Sequence, residues 1–535
     1  MKEKKIGLFE AVSIGIGGMI GGGIFAVLGL TVLLAKGAAP LAFLFAGLIA
    51  LITAYSYAKL SVRFPSEGGT IEFIVRAFGN GPVSAWLNTL LLASYIIMLS
   101  LYSYAFGSYG AALIKGVEDP FLKKALTVFV ITFFTLLNLL GAYVVGKAED
   151  LMVTFKVLVL LFFSLLGLFT ADFSRLDPHA YPHFLHILTG GFIIFLAYEG
   201  FELIANTAQD VERPEKTLPR AFFISVLVVI FIYCLVALVA VANLKPQEVL
   251  EAKDYVLAKA AEPFLGKTGF VIISVAALVS TASAINATLY GTARISYLVA
   301  KYGELPQIFA RRIWKGAYEG LIILALFTLI AALSFDLENI SVAGSLGFLL
   351  VFGVVNLANF KLAAFTKARR SLALLGAVSC FVAALVLVGH NLKVAPKSLY
   401  SAAIVLFSTF FFELFYRLLT RRKLSSFIDW RLREREEFLD NFERYAKALA
   451  GLFRARLKEA EIYILDDLAQ GERGPAHTLH LAVVTPQKLS KEEQEAHETL
   501  VRKELSLKPY HPLRITFLPH EEKERLAARP SRKLS

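Results

Sequence analysis

The chain has 535 residues, of which 56 % are hydrophobic and 18 % charged, and its mean hydropathy is +0.62. Such a composition excludes an ordinary soluble enzyme and indicates an integral membrane protein. The net charge of +12 does not mark a nucleic-acid binder, because the lysines and arginines punctuate alternate loops between apolar runs.

The basic N-terminus, Met1 to Lys5, leads into a long apolar run without a small-residue cleavage site, which reads as an uncleaved first helix. Runs long enough to cross a bilayer as helix, about 20 residues, fall near 8–35, 40–62, 83–109, 123–142, 149–170, 187–208, 219–243, 267–299, 318–334, 341–362, 371–390 and 397–418. Charged residues crowd in after Arg417. Residues 1–420 therefore read as an all-α membrane domain of about twelve helices, and 421–535 as a small α/β tail. Basic residues collect at Arg63 and Arg76, Lys147, Arg213 to Arg220, Arg311 to Lys315, and Lys367 to Arg370. The opposite loops, such as Asp172 to Asp177 and Asp336 to Glu338, are mixed or acidic. The positive-inside rule then places both termini in the cytoplasm, consistent with an even span count, and the plasma membrane is the expected location. Cys234 and Cys380 lie inside apolar runs and read as inert thiols, not as a disulfide framework.

The first span holds seven glycines, Gly15, Gly17, Gly18, Gly21, Gly22, Gly23 and Gly29. Each interior glycine weakens a helix by about 1 kcal/mol relative to alanine, so the cluster predicts a helix that breaks at mid-membrane. Irregular backbone at that depth is tolerated only when buried in protein or lining a cavity, and in transporters it points to a ligand site. Close helix packing through small residues is the other reading of the same glycines. The sixth span repeats the anomaly. Gly190 to Glu202 carries Glu199 and Glu202 within apolar sequence, and an ionisable group there normally faces a cavity or a partner. Glu202, nearer the cytoplasmic end, reads as a structural cap; Glu199 lies closer to the presumed break. Two interrupted helices five spans apart follow the pattern of an inverted-repeat transporter. In span five, Lys156 sits in the apolar run Val153 to Val159, seven residues past Glu149. At 1.5 Å per residue that is about 10 Å deep, which leaves either a snorkelling or paired lysine or a functional one.

These pieces together resemble the amino acid–polyamine–organocation superfamily of transporters. The matching residues are Gly17 to Phe25, Phe64 to Gly69 with Phe78-Gly79, Ala197 to Glu202, Asp210 to Pro214, Leu218 to Ala221, and Ser283 to Arg294 with Tyr297 and Leu305-Pro306. The resemblance covers roughly the first 420 residues. It implies a five-plus-five inverted-repeat fold and a secondary transporter that moves amino acids by alternating access, without a cofactor. It also implies a site. The Ile20 to Gly23 segment, with the N–H groups of Gly21, Gly22 and Gly23, would take the substrate carboxylate at a half-helix N-terminus. Freed carbonyls around Phe195, Leu196 and Ala197 would receive its ammonium. Tyr95, Tyr198 and Phe195 are the candidate aromatic lining. In proton-coupled relatives a lysine matching Lys156 fills the place where sodium-coupled ones bind a cation, so proton-linked, sodium-independent transport is expected, with Lys156 and Glu199 as coupling residues. Two departures stand out. Glu199 puts an acid where relatives often have a neutral residue, favouring cationic amino acids or polyamines or adding a second proton site, and Gln209 replaces a common glutamate.

Ser280, Thr281 and Ser283 offer hydroxyls to a cation, although in such helices they more often bond the preceding turn. His179, His183 and His186 would suit zinc if helical, but Pro178 and Pro182 argue for loop histidines and no metal site. In the tail, an amphipathic helix over Trp430 to Lys458 precedes strands at Glu461 to Leu465, Thr478 to Val484 and Leu513 to Leu518, with a helix near 490–505. This order resembles a minimal nucleotidyltransferase, but Asp466-Asp467 occupy the phosphate turn and Thr478 and His480 stand at the acid positions. Two metal ions need carboxylates there, so a regulatory tail is expected, not an enzyme. An amino acid/polyamine exchanger and an amino acid sensor signalling through the tail are the alternatives to simple uptake, with a membrane-tethered nucleotidyltransferase behind them.

Overall fold

The computed structural model describes residues 6–535 except 67, 80, 118, 141–146, 302–303, 312–318, 420–437, 440, 458, 466–467, 470–478, 506, 508–512, 527–529 and 535. The side chains of Glu149 and Asp150, the start of the tail helix, and Asp466, Asp467 and Thr478 lie outside the described residues.

The first span is two helices, α1 (Leu8–Met19) and α2 (Gly23–Ala35). Ile20, with ψ of 46°, ends the first. Lys36, at φ 49°, ends the second, and α3 (Ala39–Arg63) begins with Pro40 in its first turn, where the missing N–H costs nothing. A short helix, α4 (Thr70–Phe78), bridges to α5 (Pro82–Lys115). Asp119 caps α6 (Pro120–Leu139) by accepting from the Leu122 N–H at 2.9 Å. Next come α7 (Lys147–Gly167) and the second interrupted span: α8 (Phe184–Phe192), a 3-10 segment Phe195–Glu202 and α9 (Leu203–Asn206), bent by 41°. His183 caps α8, so His186 is helical despite Pro182. The remaining helices are α10 (Pro214–Asn243), α11 (Pro246–Glu251), α12 (Val256–Lys301), α13 (Glu319–Ser334), α14 (Leu337–Lys361), α15 (Ala363–Thr366), α16 (Arg370–Val394) and α17 (Ser398–Leu419). Within α12, Gly266 at φ 59° and ψ −154° breaks the helix, a conformation glycine adopts readily.

Each of the twelve apolar windows holds helix. Among the described residues, eight helices are long and apolar enough to cross a membrane, nine with the bent pair counted as one span. The count falls below twelve because Gly23–Arg63 forms one apolar run across the Lys36 turn, and because Leu8–Met19, Met152–Gly167 and Glu319–Ser334 are shorter apolar helices. The protein is an all-α polytopic membrane protein with a small α/β C-terminal sheet. In α14, 83 % of the most apolar window is buried, against 22 % in α6 and α17, so α14 is central and the other two turn Phe129, Phe133, Phe407 and Phe415 outward. Apolar side chains on that outer surface meet lipid at no solvation cost.

The chain divides into two compact units, Met1–Arg422 and Lys423–Ser535. The second is a four-stranded sheet of order β3-β2-β1-β4, with β1 (Glu461–Leu465), β2 (Leu479–Thr485), β3 (Leu513–Pro519) and β4 (Ser531–Lys533). Strand β2 runs parallel to β3, joined through the helix Lys491–Glu504, and antiparallel to β1. Every residue of β2 is buried, the mark of a strand covered on both faces. The helix Phe442–Arg456 packs Phe442, Leu449 and Phe453 into one core with Ile462, Ile464, Leu481 and Val483. His480 on β2 is buried and bonds Thr516 at 2.8 Å.

Candidate substrate and coupling site

The two breaks meet, and the glycines are why they can. A Cβ on Gly18 would stand 2.6 Å from the Gly200 carbonyl oxygen, and one on Gly23 would stand 2.8 Å from Ala197 Cβ. One on Gly22 would fall 2.5 Å from the Tyr102 ring, and one on Gly21 2.9 Å from Ala284 Cβ. Missing side chains thus let the broken first span lie backbone-to-backbone against the broken sixth, and tight against α5 and α12. Close packing and a break coexist in this one stretch.

Carbonyls freed by the breaks are taken up by side chains from other spans, as burial demands. Tyr233 of α10 has its hydroxyl between Met19 O at 2.6 Å and Ala197 O at 3.2 Å, so a single group ties both breaks to a third helix. Ser280 of α12 donates to Ile20 O at 3.0 Å and also contacts Gly21 O. Ser345 of α14 donates to Ile193 O at 2.9 Å and accepts the Leu196 N–H at 3.1 Å. At the start of α2, the first-turn N–H groups of Gly23, Ile24 and Phe25 have no acceptor within their own helix. Thr281 bonds Ala277 O, in its preceding turn, at 2.7 Å.

A cavity with about 570 Å³ of empty space, its open mouth included, adjoins the meeting point. It brings together Tyr95, Lys156 and Glu199 with Gly17, Gly18 and Tyr102, and Ser283 joins them from α12. Lys156 is 2 % exposed, and its Nζ donates to Gly17 O at 3.2 Å, at the end of α1 that borders the break. Ile20, Gly21, Gly22, Gly23, Phe195, Leu196 and Ala197 are all buried around the crossing of the two breaks. Phe195 packs against Phe352 with ring centroids 6.0 Å apart. Tyr198 turns away from the cavity: its hydroxyl donates to Phe43 O of α3 at 3.0 Å, and its ring lies 5.1 Å from that of Tyr233.

Glu202 is more than a helix-end cap. Buried at 1 % exposure, it accepts from Tyr57 at 3.0 Å, from Thr70 at 2.9 Å and from Tyr95. Tyr57 and Thr70 also bond each other at 2.7 Å, so the carboxyl joins α3, α4, α5 and the 3-10 segment. Glu199, on the same 3-10 segment, is buried as well, and Tyr95 connects the group to the cavity wall. Tyr57, Thr70, Tyr102, Tyr233 and Ser345 had no local signal, because hydroxyls in apolar helices reveal a role only when their remote partners are known.

The profile of the family described as amino acid permease matches residues 6–410. The chain is 36 % identical over 427 residues to an uncharacterized protein of Methanocaldococcus jannaschii, covering 80 % of this chain and 98 % of that one. It is 33 % identical over 351 residues to the inner membrane transport protein YbaT of Escherichia coli, covering 65 % and 82 % respectively. It is also 28 % identical over 330 residues to the chloroplastic cationic amino acid transporter 9 of Arabidopsis thaliana, covering 58 % and 57 %. Two broken spans crossing beside a cavity that holds Lys156 and Glu199, in an all-α membrane protein with these relatives, belong to a transporter rather than an enzyme. The chain is a member of the amino acid permease family of the amino acid–polyamine–organocation superfamily.

Proposed function

We propose that the protein is a proton-linked, sodium-independent secondary transporter that carries amino acids across the plasma membrane by alternating access, with both termini cytoplasmic. The observation that carries this reading is Lys156 Nζ, 3.2 Å from Gly17 O on the wall of the cavity beside both breaks. A protonated amine there makes a charge-assisted bond to the end of α1. Losing the proton weakens that bond and frees α1 to move against α7. The substrate carboxylate meets the half-helix N-terminus at Gly21, Gly22 and Gly23, where backbone N–H groups and the helix dipole favour an anion. Its ammonium goes to the backbone around Phe195, Leu196 and Ala197, and Tyr95 closes one wall. Glu199 is the second proton-carrying group, a buried carboxyl on the cavity wall close to that of Glu202.

Glu199 also supports a second reading, in which the side chain of the substrate is cationic. An acid on the cavity wall offers such a substrate an ion pair, and the Arabidopsis relative is named for cationic amino acids. Uptake into proteoliposomes of the purified protein tests both, with an imposed pH gradient and with or without sodium. Lys156→Ala is expected to abolish pH-driven accumulation, and uptake that keeps its proton coupling in this variant refutes the role of Lys156. Absence of any flux with bound amino acid would favour a sensor.

A further inference from the structure

Three histidines converge on the membrane face opposite the N-terminus, where the chain enters α8 after five apolar windows and leaves α16 after eleven. His186, in the first turn of α8, and His390, near the end of α16, have ring centroids 5.1 Å apart. The helices that carry them pack against each other. His390 is 5 % exposed. Among the described residues, its Nε2 and the Nδ1 of His186 are buried without a hydrogen-bond partner. Two unpaired polar nitrogens in one buried spot are costly. Their lone pairs are also what a transition metal binds.

We propose that His186 and His390 form a two-histidine site for a divalent transition-metal ion, zinc or copper, that ties the first half of the broken sixth span to α16. The spacing fits. With zinc bonded at about 2.0–2.1 Å to each nitrogen, two imidazole centroids on one tetrahedral ion stand roughly 5 Å apart. Borderline-soft imidazole donors suit zinc and copper. No group of three ligating side chains lies together among the described residues, so the proposed site has two protein ligands. His183 is excluded as the third ligand. Its Nδ1 accepts the Leu185 N–H at 3.3 Å, which leaves its proton on Nε2, and its ring is 6.5 Å from that of His186. Because α8 leads directly into the irregular turn at Ile193–Ile194, an ion bridging α8 and α16 restrains the broken span. Zinc added on that face should therefore slow transport, reversibly.

Binding can be read without any transport assay. The tag-free, full-length protein in chelator-treated detergent buffer is titrated with ZnCl₂ and followed by thermal unfolding. The expected result is a saturable rise in Tm of roughly 1–3 °C, reversed by EDTA. His186→Gln and His390→Gln each remove the rise. His179→Gln, at a side chain that is 95 % exposed, and His183→Gln keep it. Because a glutamine variant can fail to fold, the parent protein is also loaded with one equivalent of copper(II) and examined by electron paramagnetic resonance. Nitrogen couplings from imidazole are expected. A copper spectrum without nitrogen coupling, no zinc response in the parent, or a response that survives in either site variant overturns the proposal.

Discussion

Tyr233→Phe is the sharpest perturbation of the crossing, because it deletes one buried oxygen and leaves the ring in place. That oxygen lies 2.6 Å from Met19 O and 3.2 Å from Ala197 O, in a residue with 0 % exposure. A buried carbonyl deprived of its donor costs about 1–3 kcal/mol. The shorter bond, to the terminal carbonyl of α1, carries most of that, because Met19 O has lost its intrahelical partner at the break. In a unit of this size the loss corresponds to a fall in Tm of roughly 1–3 °C. Tyr198→Phe is the matched control. It removes one bond to Phe43 O, at 3.0 Å, from a ring against the same Tyr233, so it should cost less, about 1 kcal/mol. The two variants should also differ in kind. Only Tyr233 ties both breaks together, so its loss should weaken substrate uptake in proteoliposomes more than Tyr198→Phe does. Equal Tm values for Tyr233→Phe and the parent, with equal uptake, would refute the role of this hydroxyl in holding the breaks.

Gly22→Val should insert into the membrane normally yet lose substrate binding, read as the ligand-induced thermal shift, since the first added carbon already falls 2.5 Å from the Tyr102 ring and 3.0 Å from Thr281 Cγ2. Overpacking of that kind costs about 1–3 kcal/mol or more, and a valine variant that binds like the parent would show that Tyr102 yields freely. In the tail, Lys523, then Lys533 and Tyr463, hold the Glu461 carboxyl down to about 2. Its pKa is lower folded than unfolded, so its stabilisation is complete above the ordinary glutamate range and fades as pH falls from there towards 2. Urea unfolding of residues 423–535 at a series of acidic pH values should show this loss in the parent and a flatter profile in Glu461→Gln; identical profiles would assign the acid sensitivity elsewhere.

How much could be read without coordinates depended on the range of the signal. Hydropathy located helix in all twelve windows because bilayer thickness sets run length, and the amphipathic helix of the tail announced itself by its helical period. The glycine clusters marked both breaks, since glycine density acts on the local chain. Lys156 and Glu199 stood out as charged residues in apolar runs, Tyr95 was expected from the family resemblance alone, and all three line one cavity. Less local features escaped. The expectation that Pro182 keeps His186 out of a helix failed because His183 supplies the cap on which α8 starts. Glu202 as a simple cap missed its three hydroxyl donors, which come from α3, α4 and α5.

By itself, the sequence determined that this chain crosses a membrane repeatedly, where two of its helices break, and which charged groups lie in apolar surroundings. All of these follow from the cost of placing backbone and charge in lipid, which each segment incurs alone. Only the tertiary structure decided which side chain meets which freed carbonyl. Tyr233 between the two breaks, Ser345 across Ile193 and Leu196, Lys156 on Gly17 O, and Tyr198 turned to α3 are contacts between residues remote in sequence. Their partners are set by how the helices pack, and packing is a property of the whole bundle.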